Sequence, residues 1–149
     1  MFKINKKVEY ALMALRHIND KEANSLTSVK EICDNYGAPF DVTSRAMQQM
    51  VNGGIMKSEK GAHGGYLLIK DLDDVSVLEV IEIIVSAPVS LASCLSDNST
   101  CQLADSCNIV PPLMTLNHKL RHFLDTLSVK EILLSEGSPL TFNTAPTGS

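Results

Sequence analysis

Residues 53–65 read Gly-Gly-Ile-Met-Lys-Ser-Glu-Lys-Gly-Ala-His-Gly-Gly, and five glycines in thirteen positions stop a helix and frame a hairpin instead. Ile55-Met56-Lys57-Ser58 and Tyr66-Leu67-Leu68-Ile69 read as its two short strands, around a tip from Glu59 to Gly65 that carries Lys60 and His63. Two helices precede it. Ser28-Val29-Lys30-Glu31 is a capping box that opens a helix with Val29, Ile32, Cys33 and Tyr36 on one stripe, and Gly37 closes it. After the turn Gly37-Ala38-Pro39, a further helix runs from about Asp41 to Asn52 on Val42, Ala46, Met47 and Met50. Helix, tight turn, helix and glycine-tipped hairpin in that order predict a winged helix-turn-helix, whose later helix enters a major groove.

The groove-facing side of that helix is expected to present Thr43, Ser44, Arg45, Gln48 and Gln49, residue types that hydrogen-bond phosphates and base edges. Lys57, Lys60 and His63 are the corresponding candidates in the hairpin. Glycine lets a tip approach a phosphate or a narrow minor groove, and a cation there supplies attraction.

Charge agrees with this placement. The chain carries a net charge of -4, but residues 1–70 hold ten Lys/Arg against seven Asp/Glu, whereas residues 71–149 hold three against ten. Positive potential is therefore confined to the first half, where contact with nucleic acid belongs.

Around this unit, Val8, Ala11, Leu12, Leu15 and Ile18 mark a first helix from Lys6 to Asn19 with Asn5 as its cap. Asp71 to Asp74 opens a fourth helix, Ser76 to Ser86, with Val77, Val80, Ile81 and Ile84 inward, and Pro88 closes it. Pro111-Pro112 begins a long helix to about Leu134, on which Leu113, Leu116, Leu120, Phe123, Leu124, Leu127 and Ile132 form an apolar seam. A seam of that length calls for a second copy of the chain, so a homodimer is expected. The fold class is mainly α with a small β-hairpin wing: residues 1–70 form a winged helix-turn-helix domain, residues 71–134 a connecting helix, cysteine loop and dimerisation helix, and 135–149 a disordered tail.

Between the fourth helix and the long one lie Cys94, Cys101 and Cys107, spaced Cys-x6-Cys-x5-Cys in a stretch of Ser, Asp, Asn and Thr. Soft thiolates select zinc or iron-sulfur centres, and three of them leave one coordination position for a weaker ligand. Cys33 sits on an apolar stripe and is expected to be a small core hydrophobe. The N-terminus lacks the apolar region of a secretory signal and no run is long enough to span a membrane, so a cytoplasmic protein with reduced thiols is expected.

The segment Gly54-Ile55-Met56-Lys57-Ser58-Glu59-Lys60-Gly61-Ala62-His63-Gly64-Gly65-Tyr66-Leu67-Leu68 resembles the wing pattern G-L-V-x-S-x-R-G-x-x-G-G-Y-x-L of the bacterial Rrf-two winged-helix regulators. Tyr10-Ala11-Leu12, Glu79-Val80-Ile81 and three cysteines just before the long helix extend the similarity over residues 1–134. The resemblance implies a cytoplasmic, homodimeric transcription regulator, a repressor, that binds double-stranded operator DNA. It also implies an iron-sulfur cluster, two-iron or four-iron, on Cys94, Cys101 and Cys107, sensing iron, nitric oxide or redox state. Two departures bear on this. Lys60 stands where the family has arginine, which keeps the charge but loses the planar fork, and the first cysteine gap is six residues where the family usually has five. Val110 stands where a histidine completes the two-iron cluster of some members. In others an aspartate before Tyr-Ala-Leu of the partner subunit is the fourth ligand, and Glu9 holds that place here. His118 and His122, one helical turn apart, are alternative imidazole donors.

The rival readings are a zinc-stabilised winged module that binds protein, and an enzyme with a cysteine nucleophile. No organised base and oxyanion site supports the enzyme.

Overall fold

The computed structural model describes residues 3–96 and 101–136. Asn5 caps α1 (Lys6–Asp20), accepting a hydrogen bond from the Lys7 backbone nitrogen at 2.9 Å. Val8, Ala11, Ala14, Leu15 and Ile18 bury one face of that helix. Ser28 caps α2 (Val29–Tyr36) through the Glu31 nitrogen at 3.1 Å. Gly37 ends it in the left-handed region, and α3 (Phe40–Asn52) starts directly after Pro39. The helix-turn-helix is thus present with the expected turn.

Strands β1 (Met56–Glu59) and β2 (Gly65–Leu68) pair antiparallel with Met56 opposite Leu68 and Glu59 opposite Gly65. The ladder extends by one bond, from the Ile69 nitrogen to the Ile55 carbonyl at 3.0 Å. Thr27 also pairs with Tyr66, exchanging bonds of 3.0 and 2.8 Å, so the wing is laced to the residue that precedes the cap of α2. A side chain at residue 65 would meet the Thr27 backbone at 2.8 Å, which requires the glycine there.

Asp71 caps a short 3-10 turn, Leu72–Asp74, and Ser76 then caps α4 (Val77–Val85). Val8, Leu15, Ile32, Met47, Met50, Ile55, Val80 and Ile84 meet in one core with Val129. The apolar unit therefore continues past residue 70, because α4 is one of its walls. Cys33 is half-buried against this core, as a small hydrophobe would be.

The expectation of one long helix to Leu134 is corrected. Helix α5 (Val110–Thr126) stops at Leu127, which is extended, and a separate α6 (Val129–Leu134) follows. Two backbone bonds explain the break: Val77 nitrogen to Leu127 carbonyl at 2.9 Å, and Val129 nitrogen to Val75 carbonyl at 2.8 Å. They stitch the chain to the start of α4 and bury Val129 completely. Ser128 caps α6 through the Glu131 nitrogen at 3.0 Å, repeating the Ser-Val-Lys-Glu box of α2.

No residue of α5 is buried, and Leu116 and Phe123 are 55% and 58% exposed. No helix among the described residues is long and apolar enough to cross a membrane. The expected tail falls almost wholly outside the described residues, which end at 136.

Candidate nucleic-acid interface and cysteine loop

Helix α3 turns Ala46, Met47 and Met50 into the core, and Thr43 lies on the same stripe. The expectation that Thr43 faces outward is corrected: it is fully buried, and its hydroxyl has no hydrogen-bond partner among the described residues. Positions 43, 46, 47 and 50 share one helical face, and the threonine methyl suits that face. Val42, expected inside, is only half-buried.

Gln49 also departs from its expected part. Its amide reaches across to α4, donating to the Ile84 carbonyl at 3.1 Å and the Ser86 hydroxyl at 3.0 Å, with the Ile83 carbonyl at 3.4 Å. These are carbonyls that a helix end leaves without partners, so Gln49 caps α4 from α3. Gly53 tightens the same junction, since a Cβ there would lie 2.5 Å from the Ile83 Cδ1.

Arg45 and Gln48 are exposed and Ser44 is half-buried. Gln48 donates to Asn52 at 3.3 Å. Phe40, 57% exposed at the start of α3, escapes any reading by helical spacing; an aromatic displaced from the apolar stripe is the signal that marks it.

Lys57, Lys60 and His63 are all exposed on the wing. Lys57 pairs with Glu59 at 3.4 Å, while Arg45 and Lys60 form no ion pair among the described residues. Gly61 has φ +125°, a conformation that bulky residues resist, and it turns the chain at the tip beside Lys60.

Behind the reading helix, α1 is fastened to α2 by polar side chains. His17 Nε2 donates to Glu31 at 2.7 Å, Lys21 donates to the same carboxylate at 2.9 and 3.1 Å, and His17 Nδ1 meets the Tyr36 hydroxyl at 2.8 Å. Burial pushes the Glu31 carboxyl up, but hydrogen bonds from His17 and Lys21 outweigh it and hold the group below its ordinary value.

Cys94 lies half-buried in a short 3-10 turn, Ser93–Leu95, Cys107 is half-buried just before α5, and Cys101 between them is exposed. No group of three or more His, Cys, Asp or Glu among the described residues stands close enough to hold a metal. Their chemistry suits an iron-sulfur cluster, being three soft thiolates on one segment. Of the three, only Cys94 lines the cleft of about 400 Å³ against α5. The approach to the loop is fixed. Arg121 pairs with Glu82 and donates to the Val89 carbonyl at 3.1 Å, Val89 nitrogen donates to Glu82 at 2.9 Å, and Leu91 nitrogen donates to Asn117 at 2.9 Å. Glu9 is ion-paired to Lys6 on its own helix at 2.6 Å.

The family model described as Rrf2, iron-dependent transcriptional regulator, matches residues 4–134. The chain belongs to the Rrf2 family. It is 23% identical over 129 residues to the HTH-type transcriptional regulator NsrR of Shouchella clausii, covering 86% of each chain. It is 31% identical over 108 residues to an rrf2-like HTH-type transcriptional regulator of Rhodobacter capsulatus, covering 70% of this chain and 71% of that one. Among solved structures it is similar to CymR, the global cysteine regulator of B. subtilis, with a TM-score of 0.65 and 21% identity over 89% of this chain and 97% of that one. Rrf2 proteins are transcriptional regulators rather than enzymes, and the mainly helical fold with its two-stranded wing is theirs.

Proposed function

We propose that this Rrf2 regulator is a cytoplasmic homodimer that represses transcription from a pseudo-palindromic operator and senses iron, nitric oxide or redox state through an iron-sulfur cluster on Cys94, Cys101 and Cys107. The observation that carries the DNA-binding reading is the pairing of exposed Arg45 and Gln48 on α3 with exposed Lys60 and His63 on the wing, Arg45 and Lys60 having no ion pair among the described residues. Arg45 and Lys60 take phosphates, Gln48 and Ser44 lie nearest the base edges, and Lys57 strengthens the potential of the wing. Residues 1–70 supply the reading head, and residues 71–134 carry the cysteine loop and the dimer contact. The exposed apolar edge of Leu116 and Phe123 on α5 supports pairing with a second copy.

A cluster bound there would supply a centre whose occupancy and oxidation respond to oxidants, nitric oxide and iron supply. Val89 and Leu91, on the approach to the cysteine loop, are held to α4 and α5 by Glu82, Asn117 and Arg121, so a change of occupancy at the thiols would be felt at both helices. Operator affinity changes if the loaded centre favours one spacing of the two heads.

The test is anaerobic purification with iron, sulfide and zinc analysis, followed by promoter-fragment binding with loaded and stripped protein. Brown protein containing sulfide, with different affinity in the two forms, is expected. Colourless protein with one tightly held zinc and no operator affinity would establish a zinc-stabilised interaction module instead. Equal binding by both forms would overturn the sensing role.

A further inference from the structure

Helix α3 opens on an aromatic ring that the fold leaves in water. Phe40 is the first residue of the helix and is 57% exposed. Its N-cap, Pro39, makes no side-chain capping bond, so no capping group is folded over the first turn. Ser44 and Gln48 follow Phe40 at intervals of four residues, and positions spaced in that way form one row along a helix. Phe40 therefore heads the row that carries them. The opposite end of α3 is the one tied down, since Gln49 bonds to the end of α4 and Gly53 packs against Ile83. Nine residues separate Phe40 from Gln49, about 13 Å of helix, so the ring stands well away from that junction.

A helix-turn-helix brings the N-terminal residues of its second helix against the base edges. A phenyl ring there can neither hold a phosphate nor exchange hydrogen bonds with a base. The apolar feature that a base pair presents in the major groove is the C5-methyl group of thymine. Packing ring and methyl together removes from water apolar surface that the free protein leaves exposed. We infer that Phe40 reads sequence by packing on a thymine methyl in each half-site of the operator, because it heads the Ser44 and Gln48 row at the uncovered start of α3. The inference rests on the DNA-binding reading above and adds an apolar specificity contact to its polar ones. Arg45 and Lys60 take phosphates in that reading, and Ser44 and Gln48 hydrogen-bond base edges, so none of the four depends on a methyl group. Sensitivity to that methyl alone is the signature of Phe40.

The full chain, anaerobically loaded or stripped, first selects a duplex from a random-sequence pool. Each thymine of that duplex is then replaced in turn by deoxyuridine, which removes only the methyl, and affinity is read by fluorescence anisotropy. Wild type should bind about 4-fold more weakly at one thymine per half-site, the change expected for one buried methyl. Phe40→Ala should bind the thymine and uracil duplexes equally. Phe40→Gln, a polar replacement of good helix propensity, repeats the measurement, and thermal melts identify the variants that are folded. A scan in which no uracil weakens wild-type binding, or a 4-fold ratio that survives in a folded variant, overturns the methyl contact while leaving DNA binding intact. A chain that selects no duplex in either form overturns the DNA-binding reading and this contact with it.

Discussion

Lys60 and Thr43 show how differently two candidates for the same surface can behave. Lys60 stands exposed beside the turn at Gly61, so Lys60→Ala should weaken operator binding. It should also flatten the dependence of log affinity on log salt by about 0.9 for each phosphate left without its cation. An unchanged slope in a salt titration would remove Lys60 from the interface. Thr43 is buried with its hydroxyl unpartnered, so Thr43→Val keeps the shape and removes a desolvated polar group. It should stabilise the protein by roughly 1 kcal/mol in denaturant titrations while operator affinity stays the same. A large fall in affinity would place the residue on the outside after all. The stripe of residues 43, 46, 47 and 50 is readable from spacing alone, yet the polar oxygen of threonine suggests a surface position where its methyl decides the outcome. Gln49 is harder to place, because its partners lie on α4, 34 to 37 residues away along the chain.

At the scale of elements, the fastening of α1 to α2 depends on an ionised Glu31. Because its carboxyl is held below 4.5, the stability it confers is complete above that value and disappears as pH falls through the lowered native one. Glu31→Gln should therefore unfold more easily than wild type at neutral pH, and the two should converge in acid. A gap that persists at pH values well below 4.5 would show that the carboxylate charge is not its source. Most elements are legible in the sequence because their caps are local: Asn5, Ser28, Gly37 and Ser76 act within a few residues of themselves. The break between α5 and α6 is marked in the same way, since Ser128-Val129-Lys130-Glu131 repeats the box at Ser28, but the apolar seam running across it hides the signal. The cleft that Cys94 shares with α5 is not legible at that level. It depends on where thiols fall relative to a distant helix, which spacing within the loop does not fix.

For the whole molecule, the exposed edge of α5 is the feature that supports the proposed pairing with a second copy. Placing Glu at both Leu116 and Phe123 should yield a monomer by sedimentation velocity, since neither residue is buried within one chain. Joined half-sites gain affinity from effective concentration, so the monomer should bind the operator about 10²-fold more weakly or worse. A variant that still sediments as a dimer would relocate the interface.

Gln49 ties the end of the reading helix to the end of α4, and Gly53 packs that junction without slack. Each head therefore travels as a solid block. On the proposed reading, a signal arriving from the thiol-bearing segment would alter how far apart the two blocks sit without rewriting the bases that either one recognises. Target choice and responsiveness can in this way diverge independently within one small protein.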